Sequence, residues 1–270
     1  MATDTATENL SAPPVVILVR PQLGENIGAA ARAMMNCGLH DLRLVAPRDG
    51  WPNPAALPMA AGGAGIIENA TVYDDVGAAA HDLTFLAALS ARRRDMPVRM
   101  ADPRGVTAEI LPHGSRAGLM FGPEKSGLDN EEVVRADRLV TADLNPDYPS
   151  LNLAQAVLMM AWEWRVAALE SVALGPVPDE EAPATILERD RFHDRLEAEL
   201  DEGGFFISPE MAPAVKRNLR ALFARAAPSS QEISTLHGVV QALIKRRDRC
   251  LLYTSPSPRD RTRSRMPSSA

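Results

Sequence analysis

The chain has 270 residues, 46% of them apolar and 24% charged, with a formal net charge of −6. That is the composition of a globular protein with one large domain, or one domain and an appendage, and its acidic balance argues mildly against nucleic acid as a partner. Two cysteines, Cys37 and Cys250, with no C-x-x-C and no His/Cys cluster, exclude a disulfide framework and structural zinc. No apolar run reaches the ~18 residues that span a bilayer, and the polar, acidic start lacks the layout of a signal peptide. A cytoplasmic protein, free of membrane and metal, is expected.

Residues 1–13 read as a disordered leader. From 14 to about 170 the pattern is strand, helix, strand, with short loops. Strands are expected at VVILV (15–19), LRLVAP (42–47), LTFLAALS (83–90), AGLMFG (117–122) and RLVTADL (138–144). The first is continuously apolar, as in a strand covered on both faces. Helices are expected over 27–37, closed by Gly38 as a left-handed C′ residue, over 130–136, and from Leu151 to about Glu170. The alternation predicts an α/β fold with a mostly parallel sheet and helices on both faces. The Pro- and acid-rich stretch 171–183 reads as a linker. A small helical extension follows at 184–249, with helices near 184–202, 208–226 and 229–249, the last opened by a capping box of Ser229 and Glu232. The Ser/Pro/Arg-rich tail 250–270 has no periodic apolar face; it resembles adapter read-through and is read as non-native.

Basic residues cluster at 91–99, 216–225 and 245–249. Each cluster reads equally as a solvated helix face.

Open parallel sheets bind ligands at the carboxyl ends of their strands, and three unusual segments fall there. The first is PQLGENIGAAARAMMNCGL (21–39), with Asn26, Gly28 and Arg32 in the pattern N-x-G-x-x-x-R. It lacks the G-x-G-x-x-G of dinucleotide binding and the G-K-[ST] of a P-loop. The second is FGPEKSGL (121–128), with Gly122, Glu124 and Gly127. The third is NPDYPSLNLAQA (145–156), where Ser150 and Asn152 open the longest helix. Each has a simpler explanation: a snorkelling arginine, a Gly/Pro turn, and an N-cap by Ser150. The cap explains Ser150 but not Asn152.

Taken together and in this order, N-x-G-x-x-x-R, FGPExxGL and SLNLxxA resemble the SpoU branch of the SPOUT RNA methyltransferases over about residues 14–170. The full layout is closest to the TrmJ-like tRNA ribose 2′-O-methyltransferases, whose S-A-R-x-R stretch ALSARRR (88–94) is similar to. The extension matches only as a helical C-terminal addition. The resemblance implies a sheet whose C-terminal part forms a deep trefoil knot, an exception to unthreaded connections. It also implies a homodimer with the site at the subunit interface, S-adenosyl-L-methionine as cofactor, and tRNA as partner. By motif match the cofactor is held by Leu89, Ser90, Ala91, Gly122, Ala142, Ser150, Leu151 and Asn152, largely through backbone groups. The catalytic set is Arg32, Asn26, Ser150 and Asn152. The RNA side comprises Arg32, Arg94, Glu124, Lys216, Arg220 and Lys245, with Arg217, Arg246 and Arg247 as further cations of the extension.

The chemistry needs a positioned oxygen nucleophile and a way to manage a weakly acidic hydroxyl. No His or Cys lies in the three motifs, and an arginine is protonated in proteins. Arg32 is therefore expected to grip a phosphate bidentately and stabilise developing oxyanion character. Gly28 is expected to let RNA backbone or a neighbouring chain approach, Asn26 to fix its loop, and Glu124 to brace the motif loops. The activity implied is 2′-O-methylation of cytidine or uridine 32 in the tRNA anticodon loop. The rivals are a SpoU-type enzyme acting on ribosomal RNA or another tRNA position, and a non-catalytic RNA-binding module. A dinucleotide-dependent oxidoreductase is disfavoured by the missing glycines.

Overall fold

The computed structural model describes residues 10–91, 96–148, 150–171 and 182–245 in full, and the backbone of 172 and 246–254. In chain order the first part comprises β1 (Val15–Val19), α1 (Gly24–Cys37), β2 (Leu42–Val45), α2 (Ala56–Ala60), α3 (Ala64–Glu68), β3 (Thr71–Tyr73), α4 (Val76–Ala80) and β4 (Phe85–Leu89). There follow β5 (Arg99–Ala101), α5 (Pro103–Ile110), β6 (Ala117–Phe121), α6 (Asn130–Val133), β7 (Arg138–Val140) and α7 (Leu153–Val172). The strands make one sheet in the order β3-β2-β1-β6-β4-β7-β5. Every neighbouring pair is parallel.

Alternation along the strands divides the core. Val16, Leu18, Leu119 and Phe121 pack with α1, α5 and α7 on one face. Val15, Ile17, Val19, Leu86 and Met120 pack with α4 and α6 on the other. All five residues of β1 are buried, as a strand covered on both sides requires. The two strands absent from the sequence-based expectation, β3 and β5, are the sheet's edges. Each has three residues, mostly exposed, so neither leaves an apolar run to detect.

Helix α1 ends as expected. Gly38 adopts φ 82° and Leu39 N–H donates to the Met34 carbonyl at 3.0 Å, closing a Schellman turn. Its glycines answer to the chain's own fold. A Cβ on Gly28 would lie 2.0 Å from the Ala56 carbonyl, and one on Gly24 2.3 Å from Asn53 Oδ1. The expectation that Gly28 makes room for RNA or another chain is therefore corrected: α2 occupies that space.

The extension consists of α8 (Ile186–Glu202), α9 (Ala212–Ala226) and α10 (Ser230–Thr254), around Phe192, Ile233 and Val240. Capping boxes open α8 (Thr185, Glu188) and α10 (Ser229, Glu232). The expected linker falls largely on 173–181, outside the described residues, and α10 runs past the expected boundary at 249. Where α8 begins, the extension is docked on the sheet. Ile186 joins the second core face, and its N–H donates to the Leu83 carbonyl at 2.6 Å.

Beside it, Arg189 donates to both oxygens of Asp137, at 2.5 and 3.1 Å, and Asp137 also accepts from Leu86 N–H at 2.8 Å. The two side chains are 7% and 4% exposed. Removing one partner of such a pair strands a buried charge, at a cost of about 3–5 kcal/mol. Arg189→Ala is therefore expected to lower the unfolding free energy by about 3–5 kcal/mol in urea titration; a loss below ~1 kcal/mol, the value of a surface pair, contradicts this reading.

Candidate active site

Three strand ends converge on one cleft. Beyond Val140 the regular strand ends, so the expected strand 138–144 stops short and Ala142, Leu144, Ser150 and Leu151 wall the cleft instead. The cleft measures about 240 Å³. From β4 it receives Leu89, Ser90 and Ala91; from the β6 end Gly122, Glu124 and Lys125; and from the last segment Ala142, Ser150 and Leu151. Apolar walls come from Phe121, Val140, Leu153 and Met159. Seven of the eight residues assigned to the cofactor thus line one cavity; the eighth, Asn152, holds its rim. Gly122 permits the tight return of its loop, since a Cβ there would lie 2.2 Å from Leu128 N.

At the rim, hydrogen bonds tie the three motifs together. Glu124 accepts from Asn26 Nδ2 at 2.7 Å and, through its other oxygen, from Gln22 N–H at 3.0 Å. Asn26 Oδ1 accepts from Asn152 Nδ2 at 3.1 Å. Asn152 Oδ1 accepts from Ala154 N–H at 2.9 Å, so its NH₂ must face Asn26. Both amide orientations are fixed by this chain of donors and acceptors, without an arbitrary assignment.

Two roles are corrected here. Asn152, not Ser150, caps α7: its carbonyl accepts from Ala156 N–H at 3.0 Å, and Gln155 Oε1 accepts from its own N–H at 3.0 Å. Ser150 is left to line the cleft. Glu124, placed on the RNA side and also expected to brace the motif loops, spends both oxygens on its own loops, as the second of these expectations has it.

Arg32 lies on the exposed side of α1, with no hydrogen bond or ion pair among the described residues, and is not among the residues lining the cleft of its own chain. Arg94 lies outside the described residues, as do the side chains of Arg246 and Arg247. In the extension, Arg220 is 15% exposed and bonded to Glu197, Asp190 and Asp194. Lys216 pairs with Glu197 at 3.5 Å and Arg217 with Glu131 at 3.1 Å. Lys245 is exposed with no partner among the described residues. The sequence reading missed Lys125, although it stands inside FGPEKSGL, and missed the backbone donor Gln22.

A larger cleft, about 480 Å³, lies between α6 and the extension. Its charged walls include those same ion pairs, and it sits away from the strand ends where α/β sheets bind ligands. The smaller cleft is the candidate site.

The sequence matches the SpoU rRNA Methylase family over residues 13–162. The chain belongs to the SpoU methylase family. Residues 188–250 match the C-terminal domain of the tRNA methyltransferase TrmJ, which gives the extension a counterpart among SpoU relatives. One such relative is the tRNA (cytidine/uridine-2′-O-)-methyltransferase TrmJ of Pectobacterium atrosepticum, 36% identical over 236 residues, or 86% of this chain and 97% of that one. Among solved SpoU-type structures, TrmJ from Z. mobilis ZM4 superposes with a TM-score of 0.78 at 42% identity, covering 86% of this chain and 99% of its own. A probable methylase family protein from Haemophilus influenzae gives 0.57 at 30% identity, over 88% and 98%.

The rim predicts its own behaviour. Glu124→Gln turns one acceptor into a donor facing Asn26 or Gln22 N–H. Losing a hydrogen bond to a charged group is worth about 1.5–3 kcal/mol, so turnover should fall roughly 10–100-fold with an unchanged circular dichroism spectrum. Undiminished turnover in that variant removes the brace from the mechanism.

Proposed function

We propose that this SpoU-family chain is an S-adenosyl-L-methionine-dependent tRNA ribose 2′-O-methyltransferase acting on cytidine or uridine 32 of the anticodon loop. The observation that carries this reading is the single cleft at the ends of β4, β6 and β7, rimmed by Glu124, Asn26 and Asn152. The relatives named for tRNA 2′-O-methylation, matched along nearly their whole length, support it.

The cleft fits the cofactor chemically: apolar walls for a purine and an aliphatic chain, with Ser90, Ser150, Gly122 and Ala142 as polar or small residues of its lining. When bound, S-adenosyl-L-methionine supplies an electrophilic methyl group on a sulfonium. The residues' task is then to position the ribose and manage the hydroxyl proton. Positioning alone supplies roughly 7–11 kcal/mol. Among the described residues no histidine or cysteine lines the cleft, so no ordinary base is at hand. Arg32 is the group assigned to the developing oxyanion, its planar fork gripping the adjacent phosphate.

A single chain does not set Arg32 on its own cleft wall, and the proposal assigns it to the cleft of a second copy. Met35, one turn along α1 from Arg32, is 48% exposed, and α7, packed against α1, exposes Leu158 at 42% and Trp162 at 58%. An apolar surface of this kind, carrying the unpaired arginine, suits a homodimer that shares its sites. The knot implied by the family resemblance belongs to the same reading, with the cleft inside it. Of the extension cations assigned to RNA from the sequence and described, Lys245 is free; Lys216, Arg217 and Arg220 face carboxylates.

Incubation of purified protein with cofactor and either tRNA or ribosomal RNA, followed by mapping of ribose methylation, should place the methyl group at tRNA position 32. Methylation confined to ribosomal RNA, or to another tRNA position, overturns the assignment. Arg32→Lys keeps the charge but loses the fork, and turnover is expected to fall about 10²–10³-fold, the scale of a lost oxyanion donor. Mixing Arg32→Ala with Ser150→Ala should restore activity that neither has alone, since one site of each mixed dimer is intact; mixtures that stay inactive refute the shared site.

A further inference from the structure

Two cations flank Glu124, and neither is bonded to it. Lys125 lines the cleft and is exposed, with no hydrogen bond or ion pair among the described residues. Here both Glu124 oxygens are taken by Asn26 and Gln22, so the ammonium is left facing the mouth of the cleft. Arg48 stands on the other side, in the turn after β2. Its Nη2 donates to the Gln22 carbonyl at 2.8 Å, while Asp49 accepts from Nε at 2.7 Å and from Nη2 at 3.0 Å. Nη1 carries no bond. The Arg48 guanidinium is held above its ordinary value chiefly by the bond to Asp49, with the charge of Glu124 a smaller contribution, which places it within electrostatic reach of the rim.

The sheet order sets the arrangement. β2, β1 and β6 are consecutive neighbours, so the loops that carry Arg48 and Lys125 leave the sheet on either side of β1, with Gln22 and the Asn26 brace between them. We propose that Lys125 and Arg48 form a phosphodiester-binding track that seats the RNA backbone across the mouth of the cleft. Of the two phosphates that flank the reacting ribose, Lys125 takes the one that Arg32 does not grip, and Arg48 takes one further along the strand. This inference rests on the proposed function and adds the residues that hold its substrate in register.

The test uses the full-length protein and unmodified tRNA, with variants Lys125→Ala, Arg48→Ala and Lys125→Arg. Each substitution is at the surface, so melting temperatures should match the parent. For each alanine variant the slope of log binding constant against log salt should flatten by about 0.7–0.9, the signature of one lost phosphate contact. KM for tRNA should rise several-fold, cofactor affinity by calorimetry should stay within about twofold, and Lys125→Arg should recover the parent slope. A Lys125→Ala protein with weakened cofactor binding and an unchanged salt slope overturns the track, because the lysine then serves the cofactor's carboxylate. Unchanged slopes in both alanine variants, in a parent that binds and methylates tRNA, overturn the track alone. A parent that neither binds nor methylates tRNA overturns the function beneath it.

Discussion

Glu124 can hold Gln22 and Asn26 only because β1 and β6, about a hundred residues apart in sequence, lie side by side in the sheet. Asn26 can then reach Asn152 only because α7 returns across α1 and begins at the same edge. The bracket of two amides and a carboxylate is thus a readout of the sheet order itself. It fixes three loops through one chain of donors and acceptors, and leaves Lys125 without an ion-pair partner among the described residues. Preorganisation of this kind is what a positional mechanism requires, since among the described residues no histidine or cysteine lines the cleft.

The packing of α1 reinforces the same edge. Gly24 and Gly28 bring α2 and the turn before it into backbone contact with α1, which fixes the first turn of the helix that carries Asn26. One turn beyond Gly28, Arg32 remains on a side the chain does not cover. The glycine and the arginine, read from sequence as one device, have different neighbours: the first faces the chain's own fold, the second faces out.

What was legible in the sequence follows from where its information is local. The buried strands β1, β4 and β6 announce themselves as apolar runs, and the three motifs stand at strand ends where ligands gather. The edge strands do not, because three exposed residues carry no periodicity. Helix α5 did carry a start signal, Asp102 followed by Pro103, that was passed over. The cap of α7 was placed two residues early, since Ser and Asn are both good caps and only the backbone decides between them. The extension's cations illustrate the limit most plainly. Composition shows Lys216 and Arg220 as a basic cluster; tertiary packing sets them against Glu197, Asp190 and Asp194.

Asp137 lies beneath the sheet, between β4 and β7, with its charge answered from a helix that begins about fifty residues later. This makes the joining of the two regions hard to reverse. Shedding the three C-terminal helices would uncover the part of the second core face that Ile186 joins, and leave Asp137 without the guanidinium that now answers it.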